Sequence, residues 1–367
     1  MNNFFKNKKI LIIDPSVEII NSITEIINNE IETDNATSSE NALEKIHTRS
    51  LPDLIISDVT MKGMSGFKLL EILKANEQTK DIPFIFMKWV NEFIDETRGL
   101  ELGAVDFIIK PIRPNIVMKI IQNQLELKTY RDSLEELVQE RTKEISQMQE
   151  ATIQILAALA ESRNPGSLGH IVRVQKFIKL LALRLKNHSR FSHFLNDYNI
   201  DLLYKTSPLH DIGKVGIPDN ILLKAGKLNH IEYECIKKHP IFGHDALLHA
   251  EKQVGHNSFL SMAREMAHFH QERWDGSGYP QGLKGDEIPI SARLLAIVDV
   301  YDSLISKRVY KSPKSHFEAV QLIMDQRGKH FDPDIADAFF GLKDKFKEIA
   351  IKYADYDEEK EILKKIQ

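Results

Sequence analysis

Residues 207–220 read SPLHDIGKVGIPDN, with a histidine directly beside an aspartate and a lysine and two glycines close behind. Taken with the residues before it, as LLYKTSPLHDIGK (202–214), the stretch predicts a largely helical segment from which His210 and Asp211 project about 100° apart. Both side chains reach one central point only if that point lies deep between helices, and a metal ion is its usual occupant. Further ligands then have to arrive from other helices. The sequence offers His170 in GHIVRV, His239 in KKHPIFGH, His270 in HFHQERWDG and Asp299 in AIVDVYD. A mixed set of imidazoles and carboxylates suits iron, manganese or zinc better than magnesium or calcium. Asp211 is the candidate bridge between two ions roughly 3.5–4 Å apart, an arrangement that clamps the oxygens of phosphoryl transfer. Six further histidines, His188, His193, His230, His249, His256 and His316, read as ordinary core or surface side chains, and His244 and His268 are left unassigned.

Around this segment the chain from 159 to 367 reads as long helical patterns broken by polar loops such as RNPGSLG, DGSGYPQGLKGDEIP and RGKHFDPD, which predicts an all-α domain. The tail 350–367 reads as a charged, solvated helix. Residues 124–158 contain neither Gly nor Pro, and Leu127, Leu134, Met148 and Ile155 with Tyr130, Leu137, Ala151 and Ala158 form a heptad seam interrupted by Arg141 and Glu144. Two readings fit: a coiled-coil linker helix that joins two copies in a homodimer, or an amphipathic helix packed on its own domain. From 1 to 123, short β-branched runs (KILIID, DLIISD, IPFIFM, DFIIKP) alternate with amphipathic helical stretches, the pattern of a doubly wound α/β domain with a parallel sheet. The fold class is therefore multidomain.

Composition narrows the functions. With 367 residues, 42% hydrophobic and 28% charged, the chain has enough apolar side chains for two cores. A net charge of -4 argues against binding a nucleic acid polymer, so any phosphate ligand must meet a local basic cluster. Cys235 is the only cysteine, which excludes an intramolecular disulfide and a four-thiolate metal site. Asp14 cuts the first apolar run too short for a signal peptide, and no stretch approaches the roughly 20 apolar residues of a membrane span, so a cytoplasmic protein with no membrane partner is expected.

HDIGKVGIP at 210–218 followed by HQERWDGSGYPQGLKG at 270–285 resembles the HD-GYP family of metal-dependent phosphohydrolases, over residues 156–340. The resemblance implies an all-α domain whose metal centre hydrolyses the bacterial second messenger cyclic di-GMP to pGpG, GMP or both. Carried across residue by residue, it implies metal ligation by His170, His210, Asp211, His239, His270 and Asp299. Gln271 stands where relatives commonly have a second histidine, and its amide oxygen would be a weaker ligand. Arg173 and Asp302 are expected to support ligands rather than bind. Asp211 and Lys214 are the implied catalytic residues, with Lys214 facing the scissile phosphate. Tyr279, on a loop shaped by Gly276, Gly278 and Pro280, is expected to meet a guanine base or a phosphate, and Arg308 and Lys311 to bind phosphate. Gly166 stands where three-metal relatives carry a glutamate, so two divalent transition-metal ions, iron or manganese, are expected.

The N-terminal domain resembles the response-regulator receiver. PDLIISDVTMKGMSGFKLL puts Asp58 in the phosphoacceptor position and DFIIKP puts Lys110 in that of the signalling lysine. The acidic pair is reduced to Asp14 followed by Pro15, which weakens a magnesium site, and Lys88 replaces the small hydroxylic residue. Lys88 is expected to place its ammonium near Asp58, and the domain to be a degenerate receiver, answering to a histidine kinase or another signalling protein. Three functional readings follow: a phosphodiesterase regulated through the receiver and a dimeric linker, a non-catalytic cyclic di-GMP sensor or adaptor with a degraded metal site, or an HD phosphohydrolase of another nucleotide.

Overall fold

The computed structural model describes residues 7–27, 31–92, 96–162, 168–224, 226–307 and 312–365. The chain divides into two compact units, Met1–Lys143 and Glu144–Gln367.

The first unit alternates β1 (Lys9–Ile13), α1 (Val17–Ile27), β2 (Glu32–Ala36), α2 (Ser39–Thr48), β3 (Leu54–Asp58), α3 (Gly66–Lys74), β4 (Phe84–Trp89), α4 (Glu96–Glu101) and β5 (Asp106–Lys110), and then enters α5 (Pro114–Ser162). The strands form one parallel sheet in the order β2-β1-β3-β4-β5. Its central strands are apolar on both faces because both faces are covered. Ile10, Ile12, Leu54, Ile56, Ile85 and Met87 pack with α1 and with Val117, Ile121 and Leu125 of α5. Leu11, Ile13, Ile55, Phe84 and Phe86 turn the other way onto Ala42 and Ile46 of α2 and Leu69, Leu70 and Leu73 of α3. This is the doubly wound α/β domain read from the sequence. The parallel direction brings the C-terminal ends of β3 and β5, with Asp58 and Lys110, to one edge, where Asp14 follows β1.

The helix expected over 124–158 spans Pro114–Ser162. It starts earlier because Pro114 suits a first helical position and the turns after it carry the apolar residues that close the sheet. In the second unit the helices are α6 (Leu168–Leu185), α7 (Asp197–Thr206), α8 (Asp219–Leu222), α9 (His230–Ile236), α10 (His239–Val254), α11 (Ser258–Phe269), α12 (Ile290–Ile305), α13 (His316–Asp325), α14 (Pro333–Gly341), α15 (Lys343–Lys352) and α16 (Asp357–Lys364). Helix α12, buried along most of its length, is the axis of the core, packed on Phe177, Leu181, Leu203, Ile323, Phe339 and Phe346. The tail is not a solvated helix: Glu359 is 3% and Leu363 1% exposed, and Leu363 belongs to that core. No helix among the described residues is long and apolar enough to cross a membrane.

Candidate metal centre

The segment that carries His210 and Asp211 is less helical than its sequence suggests. Helix α7 stops at Thr206, and two 3-10 turns follow, Ser207–Leu209 and Ile212–Gly216, with His210 and Asp211 between them. The stop has a local cause. Pro208 has no N–H to give to the carbonyl of Tyr204, which accepts instead from Gln175 Nε2 (3.1 Å) and Ser207 Oγ (3.2 Å). Gly213 then lets this segment press onto the start of α10: a Cβ there would lie 2.0 Å from the carbonyl oxygen of His239. The close approach sets His239 beside Asp211.

Four histidines converge with one nitrogen tied back. Nδ1 faces Ser207 O in His210 (2.8 Å), Ile236 O in His239 (2.8 Å), Ala267 O in His270 (3.1 Å) and Asp302 Oδ2 in His170 (2.7 Å). Acceptors at these positions put a proton on Nδ1, so in the neutral ring it is Nε2 that carries the lone pair. The inward atoms crowd together. His239 Nε2 lies 3.2 Å from His270 Nε2 and 3.3 Å from Asp211 Oδ1, and His270 Nε2 lies 3.6 Å from the same oxygen. Asp211 Oδ2 lies 3.2 Å from His210 Nε2, which stands 3.8 Å from Asp299 Oδ1. Among the described residues, His170, His210 and Asp299 form one group able to hold an ion and Asp211, His239 and His270 another.

The chemistry of this donor set fits cations. His210 Nε2 and Asp211 Oδ1 are buried without a hydrogen-bond partner, an arrangement that costs stability unless a positive centre stands between the lone pairs. Protonation is shaped by the same crowding. Burial would lower the pKa of His210, but Asp211 and Asp299 push it up to about 9. Burial, with His270 and Lys214 adding to it, pushes His239 down to about 4 despite Asp211. Burial works to raise Asp211, yet Lys214 and His210 hold its carboxyl well below the usual range. Lys214 Nζ pairs with Asp211 Oδ2. One carboxylate thus faces both groups and the lysine.

Of the residues expected at this site, six lie together: His170, His210, Asp211, His239, His270 and Asp299, with Lys214 beside them. Gln271 takes part through its main-chain carbonyl, which accepts the N–H of Tyr279 (3.2 Å). The ring of Tyr279 stands edge-on to His239 with centroids 6.4 Å apart, and Lys237 Nζ lies 5.5 Å from its centre. Burial raises the pKa of its hydroxyl, so it stays protonated. Arg308, Lys311 and Gly166 lie outside the described residues. One residue was missed. The Glu272 carboxylate, 2% exposed, accepts the N–H groups of Gln281 (2.7 Å), Gly282 (3.1 Å) and Leu283 (3.0 Å) and so ties down the loop after Tyr279. Its signal was a carboxylate just ahead of a glycine-rich loop with main-chain donors to satisfy.

In the first unit, Lys110 Nζ lies 2.6 Å from Asp14 Oδ2 and 3.1 Å from Asp58 Oδ1. The expectation for Lys88 is corrected: its ammonium pairs with Glu96, and Lys110 supplies the positive charge at Asp58. Burial still pushes the Asp58 carboxyl up to about 6 against the attraction of Lys110, with Asp14 and Glu92 adding to the rise.

Residues 133–335 match the model of the HD domain, and residues 10–122 match that of the response regulator receiver domain. The chain belongs to the HD domain family. Its HD domain follows a receiver domain. A "Probable cyclic di-GMP phosphodiesterase" of Vibrio cholerae is 42% identical over 94% of this chain and 80% of its own. The "Cyclic di-GMP phosphodiesterase response regulator RpfG" of Xanthomonas campestris pv. campestris is 34% identical over 78% of this chain and 74% of its own. A "3'3'-cGAMP-specific phosphodiesterase 2" of Vibrio cholerae is 38% identical over 52% of this chain and 34% of its own.

Proposed function

We propose that this protein is a metal-dependent phosphodiesterase that hydrolyses cyclic di-GMP to pGpG, GMP or both. The observation that carries the reading is the turn of three histidine Nε2 atoms, those of His210, His239 and His270, onto the two oxygens of Asp211, of which Oδ1 is buried without a hydrogen-bond partner, with His170 and Asp299 grouped beside His210. In this reading His170, His210 and Asp299 would hold one ion and Asp211, His239 and His270 the other, with Asp211 beside both groups; iron or manganese suits the donors. Bound there, the pair supplies Lewis acidity toward the phosphoryl oxygens. Lys214 holds a proton and a positive charge against Asp211, where phosphoryl charge grows as the ester bond breaks. Tyr279, held by Gln271 and flanked by Lys237, presents an aromatic edge and a protonated hydroxyl to the bound nucleotide. Arg308 and Lys311 add cationic contacts to its phosphates.

The linker supports a homodimer. Leu127, Tyr130, Leu134, Met148 and Ile155 of α5 are each about 60% exposed or more, an apolar stripe for a second copy of the helix. Asp58, held by Lys110, is the proposed receiving point of a signal from a kinase or other signalling protein, in a pocket poor in magnesium ligands.

The test is hydrolysis by the full chain loaded with ferrous iron or with manganese in the absence of oxygen, with cyclic di-GMP and 3'3'-cGAMP as separate substrates and products resolved by chromatography. Linear product from cyclic di-GMP, lost in Asp211→Ala, is expected. Turnover of 3'3'-cGAMP alone would move the substrate class, and tight binding without product would make the protein a sensor.

A further inference from the structure

Asp355 sits between α15 and α16, far along the chain from the metal ligands, yet it touches the support of one of them. Its Oδ1 accepts the main-chain N–H of Gly169 (3.0 Å), the residue before His170. Its Oδ2 pairs with Arg173 Nη1 (2.8 Å). Arg173, 1% exposed, turns its Nε and Nη2 onto the two oxygens of Asp302 (2.5 and 3.1 Å), and Asp302 Oδ2 receives Nδ1 of His170. The carboxylate of Asp355 therefore holds His170 from two sides, through the backbone ahead of it and through the ion pair that orients its ring.

Two independent features show a seat shaped for this carboxylate. A Cβ at Gly169 would lie 2.3 Å from Asp355 Oδ2 and 2.6 Å from its Cγ, so with the carboxylate in place only glycine leaves room. Glu359, itself buried, accepts the N–H of Asp355 (3.1 Å) on one oxygen and that of Lys307 (2.6 Å) on the other, while Leu363 anchors α16 in the core. The tail is thus fastened at both ends of the contact, and the same fastening reaches Lys307, next in sequence to Arg308.

Resting on the metal-site reading above, we propose that Asp355 is a positioning residue for the metal centre, setting the direction of His170 and hence the affinity for the ion held by His170, His210 and Asp299. The carboxylate meets Gly169 and Arg173, neither of which belongs to the ligand groups above. It acts through Arg173 and Asp302, as outer partners of metal ligands do.

The experiment measures manganese binding by the full chain, by electron paramagnetic resonance titration without oxygen, beside steady-state hydrolysis of cyclic di-GMP. In Asp355→Asn the dissociation constant of one of the two ions should rise about 10-fold with the other unchanged, and kcat should fall while KM holds. Gly169→Ala keeps both charges but displaces the carboxylate, reads the same contact if Asp355→Asn does not fold, and should show the same loss. In an Asp355→Ala background, Gly169→Ala should add little, because the two changes share one contact. Wild-type binding constants and kcat in both variants, with only a lower melting temperature, would overturn the inference and leave the enzyme reading intact. A wild-type chain that binds no manganese would overturn both.

Discussion

Nδ1 of His170 lies 2.7 Å from Oδ2 of Asp302, and the second oxygen of the same carboxylate lies 2.5 Å from Nε of Arg173. A histidine that faces the metal site is therefore oriented by one half of a fully buried ion pair. Burial works to raise the Asp302 carboxyl, but Arg173 and His170 hold it far below the usual range. Ligand geometry and domain stability share these atoms.

Removing that carboxylate should consequently damage both. Asp302→Ala leaves the buried Arg173 guanidinium with part of its charge unmet, at a cost of about 3–5 kcal/mol. Calorimetry should show the HD transition at a clearly lower temperature. Asp302→Asn keeps an acceptor for His170 and should lose less stability, while hydrolysis falls about 10–100-fold. An alanine variant that melts with the wild type would contradict the reading of this pair.

Glu272 is expected to act on substrate binding and not on the metals. Its carboxylate satisfies three main-chain N–H groups of the loop beyond Tyr279, and Glu272→Ala would leave them without it. The cost should appear as a KM for cyclic di-GMP raised about 10-fold, equivalent to about 1.4 kcal/mol. Metal content per chain should not change; a loss of bound metal would assign Glu272 a different role.

Asp58 gives the receiver a pH-dependent stability with a definite sign. Its folded pKa of about 6 stands above the ordinary 3.8, so the folded chain keeps a proton that the unfolded chain has released between those values. The contribution is present below about pH 4 and lost as pH rises through about 6. Asp58→Asn should raise the receiver melting temperature by several degrees at pH 7.5, about 1–2 kcal/mol after allowing for partial exposure, and the difference should close toward pH 4. A difference that does not vary with pH would refute this.

The exposed stripe on α5 predicts an oligomer that one charge disrupts. Leu134 is 60% exposed in a single chain. In sedimentation the wild type should be a dimer at micromolar concentration and Leu134→Glu a monomer, because a charge in a heptad core position must be desolvated on association. A wild-type chain that stays monomeric would end the dimer proposal.

Much of the fold was legible because its causes are local. Strands β1, β3 and β4 read as strands because helices cover both sheet faces, which leaves no polar side to obscure the apolar runs. The end of α7 was less legible. Pro208 stood in plain view, but it ends the helix because Gln175 and Ser207 take the Tyr204 carbonyl, and Gln175 comes from another helix. Lys88 was misplaced for a similar reason: a flexible side chain at a strand end pairs with the carboxylate the fold brings near, here that of Glu96.

By itself the amino-acid order determined which chemical groups the site could contain. Ligand type resides in the side chain, and the order alone sets His210 beside Asp211 and names the imidazoles and carboxylates that could join them. Only the tertiary structure decided which imidazole nitrogen faces inward, which lysine meets Asp58, and that the tail reaches back to His170. Those outcomes depend on contacts such as Asp302 with His170 and Asp355 with Arg173, across 132 and 182 residues of chain. Periodicity and spacing act over a few turns, whereas a partner at that separation is chosen by how whole helices pack.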